Sequence, residues 1–288
     1  MSHVRIAVAS LVLGLTLAPA SLWAQVDQGA KAWEDFIHYS RVAQIELAVG
    51  NGKKLLQLRL EPKQLLQVVE QSPYADSFER DLNRMQNMEG PIAQVAADVA
   101  KAIDTATLTV IRNPDRIESE IQKLDDGLRP EMNATARLAE AGEYAVPQML
   151  DVLIGRAENS DKLRPRVIKA LIKIGRPVVL PLSESLQMLP ADAQQDVVRV
   201  LGQIGYPVAL PYMKRMVETQ DLAQETRQVF EQAIAQIAKA RRIEPDLSAA
   251  ELFHMLGEDY YAARPSLILQ PDELYNLMWR VTDRGRLT

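Results

Sequence analysis

The phrase Ile-Gly-x-Pro-x-x-x-Pro occurs twice, thirty residues apart, in IKIGRPVVLPL (Ile172–Leu182) and GQIGYPVALPY (Gly202–Tyr212). A blurred third copy, AEAGEYAVPQM, spans Ala139–Met149. A fixed period of this length is that of stacked helical pairs, because one pair cannot bury its apolar face alone and its neighbours complete the core. The punctuation has a mechanism. Glycine ends a helix by taking a left-handed conformation at the C-terminal boundary. A proline two residues on cannot extend the old helix but can begin a new one. Gly142, Gly175 and Gly205 therefore mark tight joints, spaced by 33 and 30 residues, with Pro177 and Pro207 restarting the chain. Another 33 residues lead from Gly205 to Ala238, in a degenerate fourth copy where alanine replaces glycine. The second prolines, Pro147, Pro181 and Pro211, fall inside the following helix on this reading and should kink it, since an interior proline loses one hydrogen bond and clashes one turn back. Leu171, Ile174, Leu201 and Ile204 are expected at the seam between neighbouring pairs.

Composition agrees with helix-on-helix packing. Only 5% of residues are aromatic, so the core must come from Leu, Ala, Val and Ile, whose small side chains let helix axes approach closely. With 33 Lys and Arg against 38 Asp and Glu, the chain lacks the basic excess of a nucleic-acid binder. The absence of cysteine removes disulfides, thiolate metal sites and cysteine nucleophiles together.

Residues 1–24 read as a secretory leader. Arg5 supplies the positive start, Ile6 to Ala18 the apolar stretch, and Pro19 to Ala24 small residues suited to cleavage after Ala20 or Ala24. The apolar run is shorter than the roughly 20 residues that span a bilayer. A periplasmic or secreted location follows, and the mature chain carries one positive charge fewer.

Past the leader, the helical rhythm is nearly continuous. Trp33, Phe36, Ile37, Val42, Ile45 and Leu47 share it, and Gly50-Asn51-Gly52 is expected to break it. Glu61-Pro62-Lys63 opens a helix that Ser72-Pro73 ends; Ser77 caps the next. A stretch over Pro91–Ile111 should weaken near Thr105 to Thr109. Asn113-Pro114 begins a charged helix to about Leu128. Repeat helices are expected from Pro130 to Gly142, from Val146 to Gly155, over Arg164–Ile174, Pro177–Met188, Asp192–Ile204, Pro207–Thr219 and Thr226–Ala240. Lys239, Arg241 and Arg242 then suit the negative end of a helix dipole.

Arg164 and Arg227 each stand seven residues before the core positions Leu171 and Ile234. With the Gly–Pro joints, this pattern resembles HEAT repeats, including the variety known from phycobilisome-lyase-type proteins. The first unit lacks the leading arginine and Gln194 holds its place in the third. The tail ELFHMLGEDYYAARPSLILQPDELYNLMWRV and the opening WEDFIHYSRVAQIELA are similar to a group of exported HEAT-repeat proteins of planctomycete-like bacteria. The resemblance implies an all-α fold, an α-α superhelix. Residues 25–129 would form an N-terminal helical region, 130–242 the repeats and 243–288 a helical C-terminal cap. It implies architecture and export, not chemistry.

Residues that could carry chemistry are sparse. Glu34–Asp35, Asp125–Asp126 and Glu258–Asp259 are adjacent pairs, which on a helix point about 100° apart and make no ready dyad. His38 and His254 read as structural or boundary positions, and there is no phosphate loop, HExxH or GxSxG motif. No cofactor or metal is expected. In the tail, Tyr260, Tyr261, Tyr275 and Trp279 could form an aromatic hot spot, with Pro271, Asp272 and Glu273 opening a helix under the last two. The plainer reading is a cap that seals the last repeat. The expected function is a non-enzymatic scaffold for a protein partner. It would be met by Lys169, Lys173, Arg199 and Gln203 on the second helix of each pair. The alternative, a bilin-lyase-type enzyme, rests on the HEAT resemblance alone and is opposed by the leader. A HEAT-type DNA-repair enzyme is opposed by the acidic balance and the leader.

Overall fold

The computed structural model describes residues 20–244, 246–264, 267, 279–282 and 287, with side chains from Ala24 onward. Most of the expected leader thus lies outside the described residues. The described chain is all-α: fourteen α-helices, short 3-10 turns and one isolated antiparallel bridge, Val281 to Leu287. None of the described helices is long and apolar enough to cross a membrane. The chain divides into two compact units, residues 1–110 and 111–288. The split precedes the expected boundary at 129, because Ile117, Ile121 and Leu124 join the core of the repeat region.

The first unit contains α1 (Ala20–Arg41), α2 (Ile45–Gln57), α3 (Pro62–Glu70), α4 (Phe78–Gln86) and nearly all of α5 (Pro91–Ile111). α1 packs on α2, α3 and α4. Its core is anchored by Trp33 and Phe36, both fully buried. The Trp33 indole N–H donates to Ser72 Oγ at 3.0 Å, and Phe78 meets its ring edge-on at 6.0 Å.

Two expectations fail here for physical reasons. The break falls at Val42–Gln44, where Ala43 takes φ 59, and α2 runs straight through Gly50-Asn51-Gly52. Gly52 serves packing instead: a Cβ there would lie 2.5 Å from Val95 Cγ1 and 3.0 Å from Phe36 Cε2. Nor does α5 weaken near Thr105. Thr105, Thr107 and Thr109 donate their hydroxyls to the carbonyls four residues back, so they satisfy themselves within the helix. Other boundaries agree. Glu61 and Gln64 form a capping box under Pro62, and Asn113 Oδ1 accepts from Arg116 N at 3.1 Å. Ser77 sits at the N-cap of α4 without a side-chain capping bond; its hydroxyl joins the buried Asp81 and Arg41 instead.

The second unit comprises α6 (Pro114–Gln122), α7 (Leu128–Ala141), α8 (Val146–Leu153), α9 (Ser160–Ile174), α10 (Val179–Ser185), α11 (Ala191–Ile204), α12 (Ala209–Thr219), α13 (Gln224–Arg241) and α14 (Ala249–Tyr261). The odd-numbered helices touch in sequence, α7 to α9 to α11 to α13. α10, α12 and α14 touch likewise. Leu171 and Leu201 are fully buried along these contacts. Each fully buried aliphatic side chain of this kind is worth about 1.5–3 kcal/mol.

The joints differ from expectation in detail. Pro147, Pro181 and Pro211 occupy the first turns of α8, α10 and α12, not their interiors. First-turn N–H groups have no intrahelical partner, so proline costs nothing there and does not kink the helix. Residues 142–145 and 176–178, expected to be turn or helix, form 3-10 turns that delay each start. α9 begins four residues before Arg164, taking Pro165 into its second turn. At the fourth copy, Ala238 lies within α13, and Arg242 adopts the left-handed cap with φ 57.

Candidate functional site

Two surfaces of the second unit gather polar and aromatic groups. The first lies across the odd-numbered helices, where side chains tie each to the next. Arg166 of α9 donates to Glu131 of α7 at 2.6 Å and to Asp125 at 3.0 Å. Arg164 of α9 reaches Asp196 at 2.7 Å and Asp192 at 2.9 Å, both on α11. Gln195 of α11 donates to Thr226 of α13 at 3.1 Å. The hydrogen bond from Arg164 holds Asp192 below the usual carboxylate range, against a smaller opposing effect of burial.

The leading position has a second use. Arg227 donates to the Val217 carbonyl at 3.0 Å, and the buried Gln194 donates to the Leu186 carbonyl at 3.0 Å. Both therefore hold the end of the preceding helix, so glutamine and arginine do one job at this place. Arg164 turns instead to the next pair. Arg241, expected to serve its own helix end, donates to the Gly205 carbonyl at the end of α11, 3.2 Å away.

Lys169 and Lys173 are exposed on α9, Arg199 and Gln203 on α11. These helices precede the Gly–Pro joints, so the four residues sit on the first helix of each pair and not the second. Arg199 is tethered to Gln195 at 3.1 Å and Asp196 at 3.2 Å. The placement brings the four together as neighbouring rows on contacting helices.

The other surface follows the joints. Glu143, Arg176 and Tyr206 each come directly after a joint glycine. The Arg176 guanidinium lies 5.3 Å from the Tyr206 ring centre. Tyr212, buried on α12, meets Phe253 of α14 edge-on at 5.0 Å. Burial first, and then the neighbouring Glu184 carboxylate that accepts its hydrogen bond, push the Tyr212 phenol far above its ordinary value. Tyr260 at the end of α14 is pushed up too, by partial burial and by Tyr206, with Arg176 opposing and Glu143 and Glu184 reinforcing. Both phenols stay protonated near neutrality, so they act as hydrogen-bond donors and not as bases.

The aromatic residues of the tail separate. Tyr260 is 39% exposed beside the joint row, and Tyr261 is 92% exposed at the end of its helix. Tyr275 lies outside the described residues. Trp279 does not stand on a helix; it is half-buried at the far end of the unit, its indole N–H donating to Glu143 Oε2 at 2.6 Å and its ring 6.4 Å from Tyr144. α14 packs on α12, while Trp279 reaches Glu143 beside the first joint glycine.

Sequence reasoning missed Glu143, Arg176, Glu184, Tyr206 and Tyr212. Aligning the three joint copies on their glycines places Glu143, Arg176 and Tyr206 in one column, a signal that was present. Nothing local marks Glu184 or Tyr212. His38 and His254 are both exposed. Among the described residues, no group of three or more His, Asp or Glu is placed to hold a metal ion. Compared with family models, with curated proteins and with solved structures, the chain matches none, so its function is argued from these surfaces alone.

Proposed function

We propose that this chain is an exported, non-enzymatic scaffold, a HEAT-like α-solenoid whose second unit holds a protein partner. The observation that carries the reading is the double succession of contacts, α7 to α13 on one side and α10 to α14 on the other. Stacked pairs linked in this way create long surfaces on which equivalent positions recur. The ties Arg166–Glu131, Arg164–Asp196 and Gln195–Thr226 recur at nearly the period of the joints. Rigid rows of this kind let an extended partner be read by side chains at regular intervals. The apolar leader supports export to the periplasm or beyond.

Proximity labelling by the exported protein in living cells tests both parts. Recovery of a defined envelope or extracellular protein is expected. Substituting Lys169, Lys173, Arg199 and Gln203 together by alanine should reduce that recovery. Labelling confined to cytoplasmic proteins would overturn export. A profile identical to that of an unrelated exported control would overturn the scaffold.

A further inference from the structure

The helical pairs of the second unit do not stack evenly. α10, α12 and α14 touch in succession. Between α8 and the end of α10 lies a cleft of about 320 Å³, walled by Leu150 and Ile154 on one side and by Met188 and Leu189 on the other, with Val281 and Leu287 completing its lining. At the other end of the same step the first two joints meet. The turns over residues 142–145 and 176–178 are in contact, and a Cβ on Gly142 would lie 3.5 Å from Pro177 Cβ. The space between the first two pairs is therefore a wedge, closed at the joints and open away from them.

α7 and α9 both start at the open end, and one arginine joins them there. Arg166 donates from Nη1 to Glu131 Oε2 at 2.6 Å and from Nε to Asp125 Oδ1 at 3.0 Å. A guanidinium shared by two carboxylates is a strong, directional tie, and the Glu131 side chain is sheltered at 22% exposed. The connection behind this tie is loose. Between α8 and α9, Gly155 and Asn159 both take positive φ, 75 and 55, whereas the connections into α11 and α13 contain no such residue. Side chains also pin those later connections: Gln194 donates to the Leu186 carbonyl, and Arg227 to the Val217 carbonyl. The equivalent place in α9 holds Arg164, which faces forward to Asp192 and Asp196 of α11. Residues two apart on a helix point about 200° apart, so Arg166 fastens α9 to the pair behind and Arg164 fastens it to the pair ahead.

We infer that the step between the α7–α8 pair and the α9–α10 pair is a hinge, with the contact of the two joints as its pivot and Arg166 as its latch. Releasing the latch lets α7 and α8 swing from α9 at the open end, while Arg164 keeps α9 with α11. Lys169 and Lys173 then stay in register with Arg199 and Gln203. Movements of this kind are absorbed by a few residues at element ends, which is where Gly155 and Asn159 stand. The hinge goes beyond the scaffold reading and does not depend on it, because it is a property of the chain without a partner.

The test measures distances between two spin labels on the purified full-length chain, which has no cysteine of its own. One pair, Asn133→Cys on α7 and Ala191→Cys on α11, spans the hinge; the other, Lys162→Cys on α9 and Gln224→Cys on α13, lies ahead of it, and all four sites are exposed. Arg166→Met should widen the distance distribution of the first pair about twofold and leave the second unchanged. Arg164→Met should widen the second. An unchanged first pair in an Arg166→Met chain of full helical circular dichroism overturns the hinge, and so does equal widening of both pairs. If Arg166→Met loses helicity, Glu131→Gln decides, since it keeps the shape of the side chain and removes its charge. Widening of the first pair alone supports the hinge; no widening overturns it. Because no partner is present, either result leaves the scaffold reading to its own test.

Discussion

The two units arrange their buried cores differently. In residues 1–110 an aliphatic core closes around a small group of rings, with Trp33, Phe36 and Phe78 in contact across α1 and α4 and Trp33 bonded to Ser72. In residues 111–288 it is spread over recurring aliphatic positions such as Leu138, Leu171 and Leu201, tied by polar bridges between successive helices. A core gathered around one central cluster fails as a whole when its largest member is lost. A core built from neighbours loses structure near the lesion first.

The largest effect should expose that contrast. Trp33→Ala removes a fully buried ring and leaves Ser72 without its indole donor, at a cost of about 3–5 kcal/mol. Leu201→Ala also removes a fully buried side chain, at about 2–5 kcal/mol. Hydrogen exchange separates them. Trp33→Ala should lower protection in α1, α2, α3 and α4 together, whereas Leu201→Ala should lower it most in α11 and α13 and progressively less in α9 and α7. Uniform loss across the repeats would break the comparison.

The next effect concerns the joints, which look alike in sequence and are not alike in conformation. Gly175 has φ 77 and ψ −129, a region open in practice only to glycine. Gly205 has φ 68 and ψ 27, the left-handed helical region, and Arg242 shows that a side chain is accommodated there in the fourth joint. A Cβ would meet no close neighbour at either glycine, so backbone strain decides. Gly175→Ala should cost nearly 3 kcal/mol. Gly205→Ala should cost about 1 kcal/mol. Urea midpoints of the two variants measure the difference, and equal values would show that the joints are interchangeable.

These joints also explain how much could be read in advance. Glycine and proline act locally, so Gly142, Gly175, Gly205 and the helices around them were legible, as was the all-α class. The first unit was read less well because its breaks answer to distant partners. Gly52 looks like a helix breaker until Val95 and Phe36 are seen against it, and Ala43, which does break the chain, carries no local signal. Of the candidate site, the exposed cations could be found on surface pattern. The partnership of Trp279 with Glu143 could not, since no periodicity links residues 136 positions apart.

A smaller effect depends on pH. Glu120 is 4% exposed and accepts from Lys123 and Arg137, each at 2.9 Å. Burial alone would raise its carboxyl, but the two cations overcome this and hold it below the ordinary value. A carboxyl lowered by folding stabilises the fold above its unfolded value, and the contribution is lost as pH falls through the lowered folded value. The unaltered chain should therefore lose this group's contribution to stability as pH falls below the ordinary carboxyl range of about 4.5. Glu120→Gln should be less stable than the unaltered chain at pH 7 and close to it at pH 3. A constant difference at the two values, read from urea midpoints, would assign the effect of Glu120 to packing and not to charge.

The smallest expected effect is the most informative about function. Lys169, Lys173 and Gln203 are exposed, and among the described residues Arg199 bonds to Gln195 and Asp196 on its own helix. Alanine at each should change stability by no more than about 0.5 kcal/mol, since exposed helical positions contribute little and alanine is the best helix former. Any loss of partner recovery in the fourfold variant then reports a lost contact and not a damaged fold. Charge reversal sharpens the point. Lys169→Glu and Lys173→Glu should leave the melting temperature within a few degrees of the unaltered chain while weakening capture of any partner that reads these cations. Capture that survives both reversals and fails on Glu143→Gln would move the partner's contact from the odd-numbered helices to the joint row.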